Sequence, residues 1–255
     1  MVKVALWQGP SPAGDVGAGL AVLERAVRAA GAAGAMVLVA PEVFLPGYNQ
    51  PDIAAGALRP DGDWVARLGA VCRSAGCGLC VGYAERSGNG VANAAIVLDQ
   101  AGKVAARYRK LQLYGAREAS IYEPGDSYAI FDLAGIPTAV LICYDIEFAP
   151  HVAALAARGV RLILCPTANM QPFTHVGRAT VPAMAANYAM TIVYANLCGV
   201  EGDLTYVGDS LVAGADGAIL AQAGRGEALL VVDVPQVAAA QLSTQLVDYR
   251  RVKQD

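Results

Sequence analysis

Three residues of the sequence follow apolar, strand-like runs, and their types could together carry out acyl transfer: Glu42, Lys110 and Cys143. Glu42 comes directly after the run 36–41, where burial would raise the pKa of its carboxyl and suit it to general-base chemistry near neutral pH. Cys143 ends the run 138–142, and a sharp strand-to-turn change there would present its thiol as a nucleophile. Lys110, if turned inward, would place positive charge where a tetrahedral oxyanion develops.

Each of these residues has a more ordinary interpretation when it is taken alone. A lone Pro-Glu is commonly a helix N-terminal acid or half of an ion pair, and a lone Cys at a strand end is usually inert core. A run of bases such as 107–110 is ordinarily a solvated face. Histidine is the commoner base for a thiol, but His151 and His175 lie in no context that suggests a papain-like pair. Activation of the thiol by a carboxylate is therefore favoured.

The elements that position these residues follow from hydrophobic periodicity. The first half of the chain predicts strands at 2–8, 35–40, 77–83, 92–98 and 103–109, with helices at 17–31 and 61–75. The second half repeats this order, with strands at 135–143, 160–167 and 191–196, a strand that ends in a turn at 208–217, and helices at 149–158 and 177–190. Two βαβαββ halves predict an α/β protein built as a four-layer αββα sandwich, with chance similarity among apolar strands as the alternative.

Length and composition favour a single domain over residues 1–255, with a strand at 226–234 and residues 235–255 as a C-terminal extension. The chain is 55% hydrophobic and 16% charged, and its net charge of −3 comes from interspersed acids and bases. This pattern indicates no nucleic-acid or membrane-surface partner. The apolar runs are too short to span a membrane and the first residues do not resemble a secretory signal, so we expect a cytoplasmic protein.

The six cysteines fit a reducing compartment, and most of them lie in apolar runs. Cys77 and Cys80 form a C-x2-C, but no second pair or nearby His completes a zinc site, and the segment is better explained as a buried strand. The same apolar setting argues against a redox role for this pair. We therefore expect no metal.

Three segments bring the candidate residues together into a family pattern. Residues 41–48 (Pro-Glu-Val-Phe-Leu-Pro-Gly-Tyr), 108–111 (Tyr-Arg-Lys-Leu) and 143–148 (Cys-Tyr-Asp-Ile-Glu-Phe) resemble, in order and spacing, the signature blocks of the nitrilase superfamily of carbon-nitrogen hydrolases. Residues 122–126, 165–169 and 194–201 also look like family landmarks, so that the resemblance spans nearly the whole chain. It implies the αββα fold and a Glu-Lys-Cys triad that uses neither metal nor organic cofactor.

The resemblance also implies roles for individual residues. Glu42 would take the proton of Cys143 as the thiol attacks, while Lys110 and the backbone N–H of Tyr144 hold the oxyanion. Glu118, eight residues after Lys110, stands where family amidases place a second glutamate that positions substrate; a surface loop acid is the alternative. The family further implies a homodimer or a higher homo-oligomer.

Among the family's branches, the motifs look most like bacterial small-molecule and aliphatic amidases. The expected reaction is hydrolysis of a small carboxamide to a carboxylic acid and ammonia through a cysteine thioester. The alternatives are a nitrilase, an N-carbamoyl amino-acid amidohydrolase, and a catalytically silent binding or scaffold protein on the same fold. The residues expected to bind substrate are Tyr48, Tyr144, Asn169 and Phe173.

Overall fold

Strand β1 (Val2–Gln8) is buried on both faces, so other elements of the chain must cover its sheet on both sides. In the computed structural model, which describes residues 2–88 and 90–250, Val4 and Leu6 belong to a core shared with the strands of a second sheet. Ala5 and Trp7, on the opposite face, belong to a core shared with helices. Side chains of a strand alternate between its two faces, so this sheet is covered by another sheet on one side and by helices on the other.

The same alternation extends through two six-stranded sheets. The remaining strands are β2 (Val37–Val39), β3 (Gly78–Ser87), β4 (Gly90–Leu98), β5 (Val104–Arg109), β6 (Ile130–Leu133), β7 (Ile136–Val140), β8 (Leu162–Thr167), β9 (Thr191–Asn196), β10 (Val200–Glu201), β11 (Leu204–Thr205), β12 (Leu211–Ala213), β13 (Ile219–Gln222) and β14 (Ala228–Val234). The α-helices are α1 (Val16–Ala32), α2 (Ile53–Gly56), α3 (Asp63–Ala75), α4 (Gly115–Ile121), α5 (Ala149–Ala156), α6 (Val181–Tyr188) and α7 (Gln245–Asp248). A 3-10 helix (Cys143–Glu147) precedes α5, a π-helical turn (Val176–Thr180) leads into α6, and a second 3-10 helix (Ala239–Gln241) precedes α7.

The strand order of the two sheets confirms the predicted duplication. The first sheet runs β14-β1-β2-β3-β4-β5 and the second, in the corresponding order, β6-β7-β8-β9-β12-β13. In each sheet the three strands that follow the edge strand are mutually parallel, and the outer pairings are antiparallel. Helices α1 and α3 cover the first sheet, and α5 and α6 cover the second. The four layers are those of the αββα sandwich.

Several elements were not predicted from the sequence, among them α4 and β6, neither of which has a strong apolar period. Helix α4 (Gly115–Ile121) was not predicted, since the one side chain that it buries is the charged Glu118. The edge strand β6 (Ile130–Leu133) buries only Leu133 and pairs along one side. Predicted boundaries elsewhere differ by a few residues, as at β3, which continues to Ser87.

The C-terminal part of the chain begins with β14, which pairs antiparallel with β1 from Ala228 to Val234. Beyond it, residues 235–250 are largely exposed, and residues 251–255 lie outside the described part of the chain. The boundary of the expected extension at 235 stays a prediction.

The cysteines are all free, and those at 72, 77, 80, 165 and 198 are buried, which agrees with their place in apolar runs. Among residues 2–88 and 90–250, no three His, Cys, Asp or Glu side chains are grouped as a metal ion would require. No helix within these ranges has the length and hydrophobicity needed to cross a membrane.

Candidate active site

The candidate residues meet where strands of both sheets end. Glu42 lies three residues beyond β2, Cys143 three residues beyond β7, and Lys110 directly after β5. The backbone N–H of Glu42 donates to the carbonyl of Thr167, the last residue of β8, with an N···O distance of 3.2 Å. This bond ties the Glu42 turn of the first sheet to the second sheet. The site therefore forms at the carboxyl ends of parallel strands, where open α/β folds commonly place ligands.

Lys110 lies between two buried carboxylates. Its Nζ donates to Oε1 of Glu42 over 2.7 Å and to Oε1 of Glu118 over 2.9 Å. Burial alone would lower the pKa of Lys110, but the charges of the two glutamates outweigh burial and hold it well above its usual range. Lys110 is therefore a fixed cation, as a group that stabilises an oxyanion must be.

Glu42 is completely buried, and its two carboxylate oxygens are not equivalent. Oε1 accepts from both Lys110 Nζ and Asn93 Nδ2, each over 2.7 Å. Oε2 accepts from no described residue. Burial raises the pKa of Glu42, as does the charge of Glu118, whereas Lys110 and Asn93 lower it. A carboxylate with one free oxygen and a raised pKa is suited to accept and return a proton.

Glu118 lies on α4 and is completely buried, so the alternative of a surface loop acid is wrong. Its Oε1 accepts from the Tyr48 hydroxyl over 2.7 Å as well as from Lys110, and its Oε2 accepts from the backbone N–H of Tyr114 over 2.7 Å. These bonds connect the second glutamate both to the lysine and to two residues of the cavity wall described below. Short helix α4 is thus what turns this carboxylate inward.

Cys143 begins the 3-10 helix Cys143–Glu147 in the left-handed backbone region, with φ of 45°. A non-glycine residue with this φ is strained and persists only where its surroundings hold it. Asp145 supplies that support, because its buried carboxylate accepts from the backbone N–H of Ile142 over 3.0 Å and of Gln112 over 2.7 Å. The Tyr108 hydroxyl donates to the same carboxylate over 2.8 Å. Asp145 thus fixes the turn that presents the thiol, a part that the sequence analysis did not assign to it.

The Cys143 thiol is not activated in advance by its surroundings. Burial of the sulfur raises its pKa well above the usual range, and the charge of Glu42 raises it further, against the opposing charge of Lys110. A thiol of this kind is protonated at neutral pH and needs a base when it attacks. Glu42 is the base that the geometry supplies.

Cys143 opens onto a cavity of about 250 Å³. The four residues expected to bind substrate all line it. The complete lining, which adds Cys143 and four further residues, is Tyr48, Tyr114, Cys143, Tyr144, Glu147, Asn169, Met170, Phe173 and His175. Asn169 also has a structural part, because its Nδ2 donates to the carbonyl of Phe173 over 2.9 Å and so fixes the loop that carries this ring. No role was expected from the sequence for Tyr114, Met170 or Glu147, although Glu147 lies in the 143–148 block, because these three residues come together only through the fold.

A larger surface groove of about 840 Å³ contains none of the candidate site residues. Its arginines are already engaged, as at Arg109, which pairs with Glu85 at 2.6 Å. Arg59 likewise pairs with Asp61 at 3.1 Å. The chemistry-bearing side chains converge on the smaller cavity instead.

A buried carboxylate-lysine pair beside a cysteine on a strained turn, within a duplicated αββα sandwich, defines a thiol-dependent acyl-transfer site. The carbon-nitrogen hydrolase family model matches residues 3–243, and the chain belongs to this family. Its relatives include the hydrolase in the pqqF 5′ region of Pseudomonas protegens, which is 40% identical over 90% of this chain and 81% of that protein. An (R)-stereoselective amidase from a Pseudomonas species is 30% identical over 85% of this chain and 80% of that enzyme.

Solved structures show the same fold. The NitN amidase from Nesterenkonia sp. AN1 superposes with a TM-score of 0.89 at 34% identity, over 98% of this chain and 97% of that enzyme. A glutamate-to-glutamine variant of that amidase carries acrylamide added to its active-site cysteine.

Proposed function

We propose that this protein is an amidase that hydrolyses small carboxamides to carboxylic acid and ammonia through a thioester on Cys143. The observation that carries the proposal is that Cys143 lines a cavity of about 250 Å³ and lies close enough to the buried Glu42-Lys110 pair for both charges to act on its thiol. A cavity of this size fits a small acyl group. The amidases among the relatives and solved structures support the same reaction class.

In the first half of the reaction, Oε2 of Glu42 takes the proton of Cys143 while the sulfur attacks the amide carbonyl. Lys110 Nζ and the backbone N–H of Tyr144 stabilise the negative charge that develops on the carbonyl oxygen. Glu42 then gives the proton to the departing nitrogen, the C–N bond breaks, and ammonia leaves. The acyl group remains on sulfur as a thioester.

In the second half, Glu42 takes a proton from a water molecule that attacks the thioester. The same two donors hold the second oxyanion, and its collapse breaks the C–S bond. The sulfur recovers its proton from Glu42, and the carboxylic acid leaves. Glu118 positions Lys110 and Tyr48 throughout, and Tyr48, Tyr144, Asn169 and Phe173 contact the substrate.

The wall of the cavity weighs against an N-carbamoyl amino-acid substrate. Such a substrate carries a carboxylate that needs a cationic partner, commonly arginine. Among the described residues that line the cavity there is no Lys or Arg, and Glu147 adds negative charge. The site geometry also weighs against a silent scaffold, since it retains a nucleophile, a base and an oxyanion donor together.

We further propose a cytoplasmic homodimer or higher homo-oligomer with a single domain over residues 1–255. Six free cysteines fit a reducing compartment. Helix α5, which follows the Cys143 turn, resembles the family's subunit-contact region and is rich in alanine. The net charge of −3 favours neither nucleic acid nor an anionic membrane as partner.

Ammonia release from a panel of simple amides, nitriles and N-carbamoyl amino acids tests the proposed function. We expect release from short amides and little from the other two classes. Turnover of nitriles or N-carbamoyl amino acids above that of every amide tested would contradict the choice of substrate.

A further inference from the structure

Glu147 is the last residue of the 3-10 helix that begins at the nucleophile, and it lines the same cavity as Cys143. It is the one carboxylate among the described residues of the cavity wall. Its side chain is half-buried, and no hydrogen bond or salt bridge joins its carboxylate to another described residue. The bonds of Asp145 hold the turn at the start of the short helix, so the backbone that carries Glu147 is fixed relative to Cys143.

Aromatic rings line the same cavity as Glu147. The rings of Tyr114 and Tyr144 meet edge to face with centroids 5.3 Å apart, and Phe173 meets Tyr114 in the same manner at 5.9 Å. Aromatic faces attract ammonium groups, most strongly where water is excluded. A carboxylate set among such rings is an arrangement that recognises an organic cation better than a neutral or anionic group.

No cationic side chain among the described residues pairs with the Glu147 carboxylate. Burial raises its pKa, and the nearby His175 and Lys110 only partly oppose that effect. Lys110 is already bonded to Glu42 and Glu118, and His175 makes no ion pair with Glu147 within 4.0 Å. A cationic group on the substrate would complete the missing pair.

We propose that Glu147 is a specificity-determining residue that selects carboxamides whose acyl group carries a protonated amine. This inference rests on the proposed amidase function and narrows its substrate class. The ammonium would lie between the Glu147 carboxylate and the rings of Tyr114 and Phe173, while the amide carbonyl lies at Cys143.

Three amides of similar shape test the inference at pH 7.5: β-alaninamide, which is cationic, butyramide, its neutral isostere, and succinamate, which is anionic. For the wild-type protein we expect kcat/KM for β-alaninamide to exceed that for butyramide by about tenfold or more, as for one charge-assisted contact. Succinamate should be the poorest of the three. The quantity to report is the ratio between substrates, because it cancels losses that affect all of them equally.

Glu147→Gln keeps the shape of the side chain and removes its charge. The ratio of kcat/KM for β-alaninamide to kcat/KM for butyramide should therefore fall to about one. Glu147→Lys should reverse the order and favour succinamate. Glu227→Gln is the matched control, because Glu227 is exposed and does not line the cavity, and it should keep the wild-type ratio. Thermal unfolding of each variant verifies that it is folded.

The inference would be overturned if the wild-type ratio of kcat/KM for β-alaninamide to that for butyramide were near one, or if Glu147→Gln left this ratio unchanged. In either case, hydrolysis of butyramide would still support the amidase function. Absence of ammonia from all three amides, with no acyl group on Cys143, would overturn the amidase function itself.

Discussion

Asn93 and Glu42 are joined by a hydrogen bond of 2.7 Å from Nδ2 to Oε1, the same carboxylate oxygen that accepts from Lys110. Because Asn93 and Lys110 both donate to Oε1 of Glu42, Oε2 is the carboxylate oxygen that has no described partner. The pair therefore fixes which oxygen of Glu42 is available to exchange a proton with Cys143. Asn93 acts through Glu42 and is a positioning residue.

Asn93→Ala should lower kcat by roughly 10- to 100-fold with a smaller change in KM, because Glu42 loses orientation and not substrate contact. The hydrogen bond from Asn93 lowers the pKa of Glu42, so its removal raises that pKa. Glu42 acts as a base only when deprotonated, and the acidic limb of the kcat/KM profile should therefore move to higher pH. An acidic limb that stays in place would show that Asn93 is only structural.

Glu42→Gln should separate the reactivity of the thiol from turnover. The charge of Glu42 raises the pKa of Cys143, so its loss should move the midpoint of Cys143 alkylation by iodoacetamide to lower pH. Hydrolysis should nevertheless fall by about 10²- to 10⁴-fold, since the base is lost. Glu227→Gln should change neither quantity. Turnover that survives would mean that Glu42 is not the base. Alkylation that shifts to higher pH would mean that the charge of Glu42 does not raise the pKa of Cys143.

The sequence predicts the site only where strand ends and short motifs coincide. Glu42, Lys110 and Cys143 each follow a strand, and the two halves of the chain predict the sandwich that brings these ends together. The inward turn of Glu118 could not be derived from periodicity, since α4 buries a charge where an amphipathic pattern would bury an apolar side chain.

Other parts of the site depend on partners far apart in the chain. Asn93 lies inside the buried strand β4, and its place in the sequence indicates only a core residue. Its role follows from its hydrogen bond to Glu42, which the sequence does not show. Asp145 belongs to the family motif, but its partners Tyr108 and Gln112 come from β5 of the first sheet and from the loop that follows it. The position of Glu147 becomes informative only when the fold brings aromatic rings from four segments, at 48, 114, 144 and 173, to the same cavity.

Asp145→Ala should destabilise the protein by about 2–4 kcal/mol, because it leaves buried N–H donors of Ile142 and Gln112 without their acceptor. Tyr108→Phe removes only one hydroxyl from the same carboxylate and should cost about 1 kcal/mol. Urea unfolding measures both free energies. Equal costs for the two variants would show that the carboxylate does not hold the turn.

The cysteines should differ sharply in reactivity in the folded protein. Burial raises the pKa of Cys143 as well as those of Cys72 and Cys77, so the pKa does not separate them. Access does, because Cys143 alone among the six is partly exposed. Iodoacetamide followed by peptide mass spectrometry should therefore label Cys143 first and the other five only after unfolding. Early labelling of Cys77 or Cys80 would contradict their place in the core.

The most direct test of the thioester is mass spectrometry of the protein quenched with acid during turnover of a short amide. We predict that Cys143 gains the mass of the acyl group, and that Cys143→Ala shows neither this adduct nor ammonia release while it remains folded. Ammonia release by Cys143→Ala at the wild-type rate would contradict the mechanism.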